Sequence, residues 1–386
     1  MLDHARYPCL DLLAHDEGGL RLYNAGLPRF PRLFPRDLLF SAFLFDDREF
    51  LHDVLEFCAS QQGTKRDAFT GEEPGKIPHE IPGVEFVHDG RRTSTQFSAS
   101  DTTAAYLIGL GRYRAWGGDA SFVKSQKEAA LKALDHILSH LDKDAVFWID
   151  PARAGAKRYA LRVTYWKDSS LPGRVGGAPR YPITYSLVQA MTVAALRAAA
   201  EMGGLLGLDG DELERKAQLA CRSLWSLFWN EERGTLCLGI DQAGRISGLS
   251  SDGVHALYYL RKDEVPHEKA LLVAKGARSL ETPFGYRTLA EDAAGYSADS
   301  YHLGSLWPFE QAFIAEAGRM HGMRRLVDVG RSVMACLGNS GMPGGYPEAL
   351  AWERGMPSPV LQEKSCHTQL WTVACHRYFS ALQDSA

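Results

Sequence analysis

The chain has no long apolar run: nowhere in its 386 residues is there a stretch uninterrupted enough to cross a bilayer as a helix. Residues 1–19 scatter Asp, His, Arg and Glu among their apolar positions, so the apolar core of a signal peptide is missing too. There is no block of Lys and Arg, and the formal net charge is -4. A nucleic-acid or membrane-surface role built on electrostatics is thereby disfavoured, and a neutral or small polar partner is expected. The seven cysteines are scattered, odd in number and free of CxxC spacing, which predicts reduced thiols in a cytoplasmic protein. Neither GxGxxG after a strand nor a phosphate-cradling GxxxxGK[ST] loop occurs. Strand signals are sparse; the best is 235–246, where Gln242-Ala243-Gly244 reads as a turn between two short strands.

What is present is helical periodicity. In 122–142, Ala130, Leu134, Ile137, Leu138 and Leu141 recur along one face, the pattern of a helix with one side in solvent. In 184–202 the residues are small or apolar almost all round, as in a helix enclosed by other helices. Further helices are expected near 36–61, 100–116, 211–229, 251–261, 267–280, 305–321, 323–337 and 365–381. Long loops rich in Gly, Pro and aromatics separate them (22–35, 68–99, 147–182, 282–304 and 338–364), and loops of that length are usually functional. With 45% hydrophobic residues, no low-complexity linker and no fixed repeat period, residues 1–386 read as a single all-α domain. A closed toroid of helical hairpins, inner helices apolar and outer ones two-faced, satisfies the pattern, with a minor β-hairpin as decoration.

Two loop carboxylates stand out. Asp168 lies in Tyr165-Trp166-Lys167-Asp168-Ser169-Ser170, and Glu348 follows Gly344-Gly345-Tyr346-Pro347. Glycosidic bond cleavage needs a proton donor on the leaving oxygen and, in inverting enzymes, a second carboxylate to activate water from the opposite face. Aromatic neighbours are expected to desolvate Asp168 and raise its pKa, which suits the acid; Glu348 is then the base. Either carboxylate, taken singly, also reads as a solvated loop residue or a helix cap. Arg36-Asp37 opens an apolar run and reads equally as a helix cap or as a pair holding sugar hydroxyls. Asp101 in Ser100-Asp101-Thr102-Thr103 carries the same two readings. Tyr301, His302 and Trp307 gather at a glycine turn before a helix, an arrangement fit to stack on a sugar and bond its hydroxyls. Competing chemistries are weaker. His136 and His140 share a helix face near Asp135, but no third ligand follows at zincin spacing, and a solvated face is favoured. Ser121-Phe122-Val123-Lys124 matches SxxK without its companion motifs.

At these loops the chain resembles a group of inverting α-glycosidases that includes glucoamylase, amylo-α-1,6-glucosidase, trehalase, processing α-glucosidase and mannosylglycerate hydrolase. Ala25-Gly26-Leu27-Pro28-Arg29-Phe30 with Phe34-Pro35-Arg36-Asp37 is similar to their sugar-holding segment. Pro74-Gly75-Lys76-Ile77-Pro78-His79-Glu80 resembles the Gly-x-Ile-x-His-Glu loop, and Ser100-Asp101-Thr102-Thr103 the Val-Asp-x-Thr helix start. Trp166-Lys167-Asp168-Ser169 resembles the general-acid motif, and Tyr301 to Pro308 the Tyr-His-x-Gly-x-Val-Trp-Pro segment with Leu306 in place of Val. Pro347-Glu348 and Gln369-Leu370-Trp371 are similar to the base loop and closing helix. The motifs follow in family order over nearly the whole chain, and their order is more specific than any one of them. The resemblance implies an (α/α)6 barrel, a small carbohydrate substrate, inversion, and no metal or organic cofactor. It implies Asp168 as acid and Glu348 as base, with Glu363 as rival base. Arg36, Asp37, His79, Asp101, Trp166, Tyr301, His302, Trp307, Tyr346, Gln369 and Trp371 are expected to bind substrate. Arg174 and Arg180 follow the acid and suggest an anionic aglycone such as glycerate. Two alternatives use the same ring: a sugar epimerase of the N-acylglucosamine type, with His302 and His367 as its pair, and a barrel that binds sugar without catalysis.

Overall fold

The computed structural model describes residues 2–88, 90–338 and 345–384. Among them, Pro35–Phe45, Thr102–Ala115, Ser186–Glu201, Asp252–His255 continued by the 3-10 stretch Ala256–Tyr259, Pro308–His321 and Leu370–Asp384 follow one another around a ring. Each packs on the next, and Leu370–Asp384 packs on Pro35–Phe45 to close it. Outside them lie Arg48–Ser60, Lys127–His140, Gly210–Leu227, His267–Gly276 and Arg324–Arg331. The N-terminal segment with its Cys9–Leu13 helix covers the last inner helix, where the Tyr7 hydroxyl meets His376 Nδ1 at 3.1 Å. This is the (α/α)6 barrel expected from the alternation of enclosed and two-faced helices. No described helix is long and apolar enough to cross a membrane, and the cysteines are free thiols.

Sequence explains the two layers. Every residue of Pro35–Phe45 is buried, whereas Gly210–Leu227 buries one stripe that includes Leu213, Ala217, Ala220, Cys221 and Leu224, the spacing of a single helical face. Each fully buried Leu or Phe of the inner ring contributes about 1.5–3 kcal/mol. The small residues of the third inner helix let it approach the second closely: a Cβ on Gly111 would lie 2.9 Å from Ala198 Cβ. Two expected helices are each divided. The stretch 36–61 breaks at Asp46, which takes the left-handed conformation (φ 53), and 122–142 breaks at Gln126 into Ala120–Ser125 and Lys127–His140.

The expected hairpin is present: Gly239–Asp241 pairs with Gly244–Ile246. Its first strand also pairs with Thr184–Tyr185, so three strands seat the loop before the third inner helix. Another short pairing joins Thr368–Gln369 to Gly26–Leu27. It clasps the first motif of the chain to the start of the last inner helix, across the closure of the ring.

Candidate active site

One end of the ring holds a cavity of about 230 Å³, small by the standard of ligand sites. Its wall includes Arg36, Asp37, His79, Trp166, Asp168, Tyr301, His302, Trp307, Glu348, Gln369 and Trp371. These residues come from widely separated parts of the sequence, and many stand at inner-helix N-termini. Arg36 and Asp37 lie in the first turn of Pro35–Phe45, Trp307 precedes Pro308–His321, and Gln369 precedes Leu370–Asp384. The positive end of a helix dipole there favours carboxylates and ligand oxygens.

Arg36 organises one side. Its Nε lies 3.0 Å from Asp101 Oδ2 and its Nη1 3.4 Å from Asp168 Oδ2. Nη2 is buried and takes no hydrogen bond among the described residues, so one donor is left for a ligand. Asp101 stands at the N-cap of Thr102–Ala115 but makes no capping bond. It is 1% exposed and off the cavity wall, the counter-ion behind Arg36 rather than a direct sugar ligand. Asp37 does not cap its helix either: Oδ1 accepts from Gln369 Nε2 at 3.0 Å. Burial pushes its carboxyl up to about 7, with Arg36 and His79 opposing.

Asp168 departs from expectation. Trp166 is in the wall, stacked edge-on against Trp307, His302 and Phe309, yet it does not set the Asp168 pKa. Burial raises that carboxyl, but His79 Nε2 at 3.5 Å and the Arg36 guanidinium outweigh burial and hold it below the ordinary aspartate value. The Asp168 side chain keeps 24% of its surface open to the cavity. Its loop is pinned by its neighbour: Lys167 Nζ donates to Ser250 Oγ and Ser251 Oγ, each at 2.8 Å, and pairs with Asp252 at 3.1 Å.

Glu348 is the opposite case. Only 2% exposed, it accepts from the Tyr301 hydroxyl at 2.7 Å and from the Cys366 backbone N–H at 2.8 Å. Burial prevails over both bonds and raises it to about 8. His302 stacks on Trp307 with centroids 4.8 Å apart. Its Nδ1 accepts from the Ser169 N–H at 3.3 Å, so the neutral ring carries its proton on Nε2, which is buried and has no described partner. Burial lowers its pKa to about 3 and keeps the ring neutral.

Several expected groups are elsewhere. Tyr346 is off the wall and packs edge-on against Tyr7 and His376. Gly344, from the same motif, lies outside the described residues. Glu363 is exposed and off the wall, with its carbonyl accepting from Arg29 at 2.8 Å. Arg174 grips Asp241 through Nε at 2.9 Å and Nη2 at 3.0 Å, and Arg180 is exposed; neither lines the cavity. His367 is exposed and off the wall, so it does not pair with His302 there. His136 and His140, expected on a solvated face, are 6% and 3% exposed. Sequence reasoning also missed Arg32, Phe86 and Leu161 as wall residues, and used Phe30, Phe34 and Glu80 only as motif members. Arg32 Nε pairs with Glu80 Oε2 at 2.9 Å, a contact between two loops that no local pattern announces.

The arrangement can hold one small polyhydroxylated ring against aromatic faces, with two carboxyls of unlike proton affinity beside it. The fold has relatives among solved structures. A mannosylglycerate hydrolase of family GH63 from Thermus thermophilus, in complex with Tris and D-glycerate, superposes with a TM-score of 0.69 at 14% identity, covering 97% of this chain and 99% of that one. The same hydrolase in complex with glucose gives 0.67 at 15%, covering 97% and 98%. A rhamnosidase from Klebsiella oxytoca with rhamnose bound gives 0.60 at 12%, covering 95% of this chain and 60% of that one. No curated protein sequence matches the chain. The family model of the mannosylglycerate hydrolase MGH1-like glycoside hydrolase domain matches residues 38–346, a span that contains Asp168 and ends just before Glu348. With its barrel and its paired carboxyls, the chain belongs to the MGH1-like glycoside hydrolase family.

Proposed function

We propose that the chain, acting as one catalytic domain, is an exo-acting inverting α-glycosidase that releases the terminal hexose of a small α-glycoside. Asp168 protonates the glycosidic oxygen, and Glu348 takes a proton from the water that attacks the anomeric carbon from the opposite face. The observation that carries this reading is the pair itself: two carboxyls on one small cavity wall whose surroundings push their proton affinities in opposite directions. Arg36 Nη2 and His302 Nε2 supply donors for sugar hydroxyls, while Trp166, Trp307 and Trp371 supply apolar faces. Reaction requires the single shared proton to reside on Asp168, the minor arrangement in the empty site. The order of the pKa values favours a second reading in which Glu348 donates and Asp168 activates water.

Both readings share a pH profile. The active form carries one proton across the pair; it gains a second when Asp168 protonates and loses its only one when Glu348 ionises. The expected kcat/KM therefore holds a plateau through neutral pH, falls below the ordinary aspartate range and falls again as pH rises through about 8. A profile that climbs steadily past pH 9 would remove Glu348 from the reaction.

The wall supports one substrate class. Arg32 and Arg36 both line the cavity, and although each also meets a carboxylate, Glu80 and Asp101, they offer guanidinium groups to a carboxylate on the aglycone even without Arg174. The relative that holds D-glycerate supports a glucosylglycerate- or mannosylglycerate-like substrate, with short α-gluco-oligosaccharides as the alternative. Hydrolysis of glucosylglycerate, mannosylglycerate, trehalose, isomaltose, kojibiose and maltose, followed by NMR, is expected to show a glycerate glycoside cleaved fastest, with the β-anomer appearing first. Early α-hexose would mean retention and sink the mechanism.

A further inference from the structure

Away from the cavity, Glu73, His136 and His140 bring a carboxylate oxygen and two imidazole nitrogens within 4.8 Å of one another, all three side chains buried. We propose that this cluster binds one divalent transition-metal ion of the zinc class, which staples the 61–80 loop to the outer helix Lys127–His140. Two nitrogens and one oxygen are a donor set that zinc accepts, with water in the fourth position.

Helix geometry places the histidines together, since residues four apart share a face; their rings lie 4.6 Å apart. Glu73 arrives from the loop, which runs against the helix so closely that a Cβ on Gly75 would lie 2.0 Å from the Lys132 carbonyl oxygen. Gln62 fixes the same register by donating to the carbonyls of Gly75 and Ala129 at 2.9 and 3.0 Å.

The hydrogen bonding of His140 points to a cation. Nδ1 lies 2.7 Å from the Trp148 carbonyl, which can only accept, so Nδ1 carries a proton. Nε2 then faces Glu73 Oε2 at 2.9 Å. Without a metal that contact needs a proton between the two atoms. With a metal, a neutral ring offers its Nε2 lone pair while Nδ1 donates to a carbonyl, the usual support for a metal-bound histidine. Lys76 is the opposing group, its Nζ 3.7 Å from Glu73 Oε1. It has other partners in the Gly71 carbonyl at 3.3 Å and the Tyr159 ring at 4.5 Å.

The loop that carries Glu73 continues to His79 and Glu80 at the cavity, so the ion would brace one wall of the site without touching substrate. The test uses the full chain stripped with EDTA and dialysed. Zinc alone is expected to bind at one equivalent by calorimetry and to raise Tm, and cobalt(II) to give the visible absorption of a four-coordinate N/O site. H136A and H140A, checked for folding by circular dichroism, are expected to abolish the stoichiometric binding. Should either fail to fold, E73Q is the milder variant, expected to weaken zinc binding by tenfold or more. The proposal is overturned if the wild-type chain binds no zinc at one equivalent, or if binding survives in H136A, H140A and E73Q; the cluster is then an ion-pair network that satisfies itself.

Discussion

Asp168→Asn is expected to lower turnover of an α-glycoside by roughly a hundredfold or more, while hydrolysis of the matching α-glycosyl fluoride stays within a few-fold of wild type. Fluoride departs without being protonated, so removing the acid matters little for that substrate. Glu348→Gln is expected to lose both activities, since every inverting displacement needs its water deprotonated. Steady-state rates of the two variants on the two substrates make the comparison. The reversed pattern, fluoride hydrolysis surviving in Glu348→Gln and not in Asp168→Asn, would exchange the roles. The structure gives that exchange a physical motive, because Glu348 holds its proton to about pH 8 while Arg36 and His79 strip Asp168 of its own.

Arg36→Met is expected to destabilise the fold by about 3–5 kcal/mol, the cost of breaking a buried ion pair and stranding one charge. Arg36 and Asp101 are 2% and 1% exposed, so water cannot reach Asp101 to compensate. Urea unfolding followed by tryptophan fluorescence measures the difference. A loss below about 1 kcal/mol, the range of a surface pair, would mean that Asp101 is not held by Arg36. The double variant Arg36→Met with Asp101→Leu is expected to recover much of the loss, because no unpaired charge then remains. Arg36→Lys keeps the charge but loses the fork that spans Asp101 and Asp168, and activity is expected to fall further than stability.

The barrel was legible because its cause is periodic. An apolar surface all round 184–202 and a single stripe along 122–142 state which helix is inside and which outside before any contact is known. Divisions within those stretches were less visible: nothing in the apolar pattern marks Asp46, where a left-handed residue turns one stretch into two helices. The site was legible as a set of motifs at loop ends, and most of those residues do meet on one wall. Tyr346 and Asp101 show the limit. Each belongs to one of the motifs, but the first packs against Tyr7 and His376 instead of the cavity, and the second lies one layer behind Arg36.

His136 and His140 make the same point for the rest of the surface. Their spacing was visible and their burial was not, since Glu73 reaches them from a separate loop, itself bonded by the Tyr159 hydroxyl. By itself the sequence determined the helical ring, the order of the motifs and the two carboxylates, because propensity, periodicity and motif identity are local properties. Only the tertiary structure decided which carboxyl keeps its proton, which arginine is committed elsewhere, and which histidines are hidden. Those outcomes depend on burial and on charges a few ångströms away through space, supplied by residues far away along the chain.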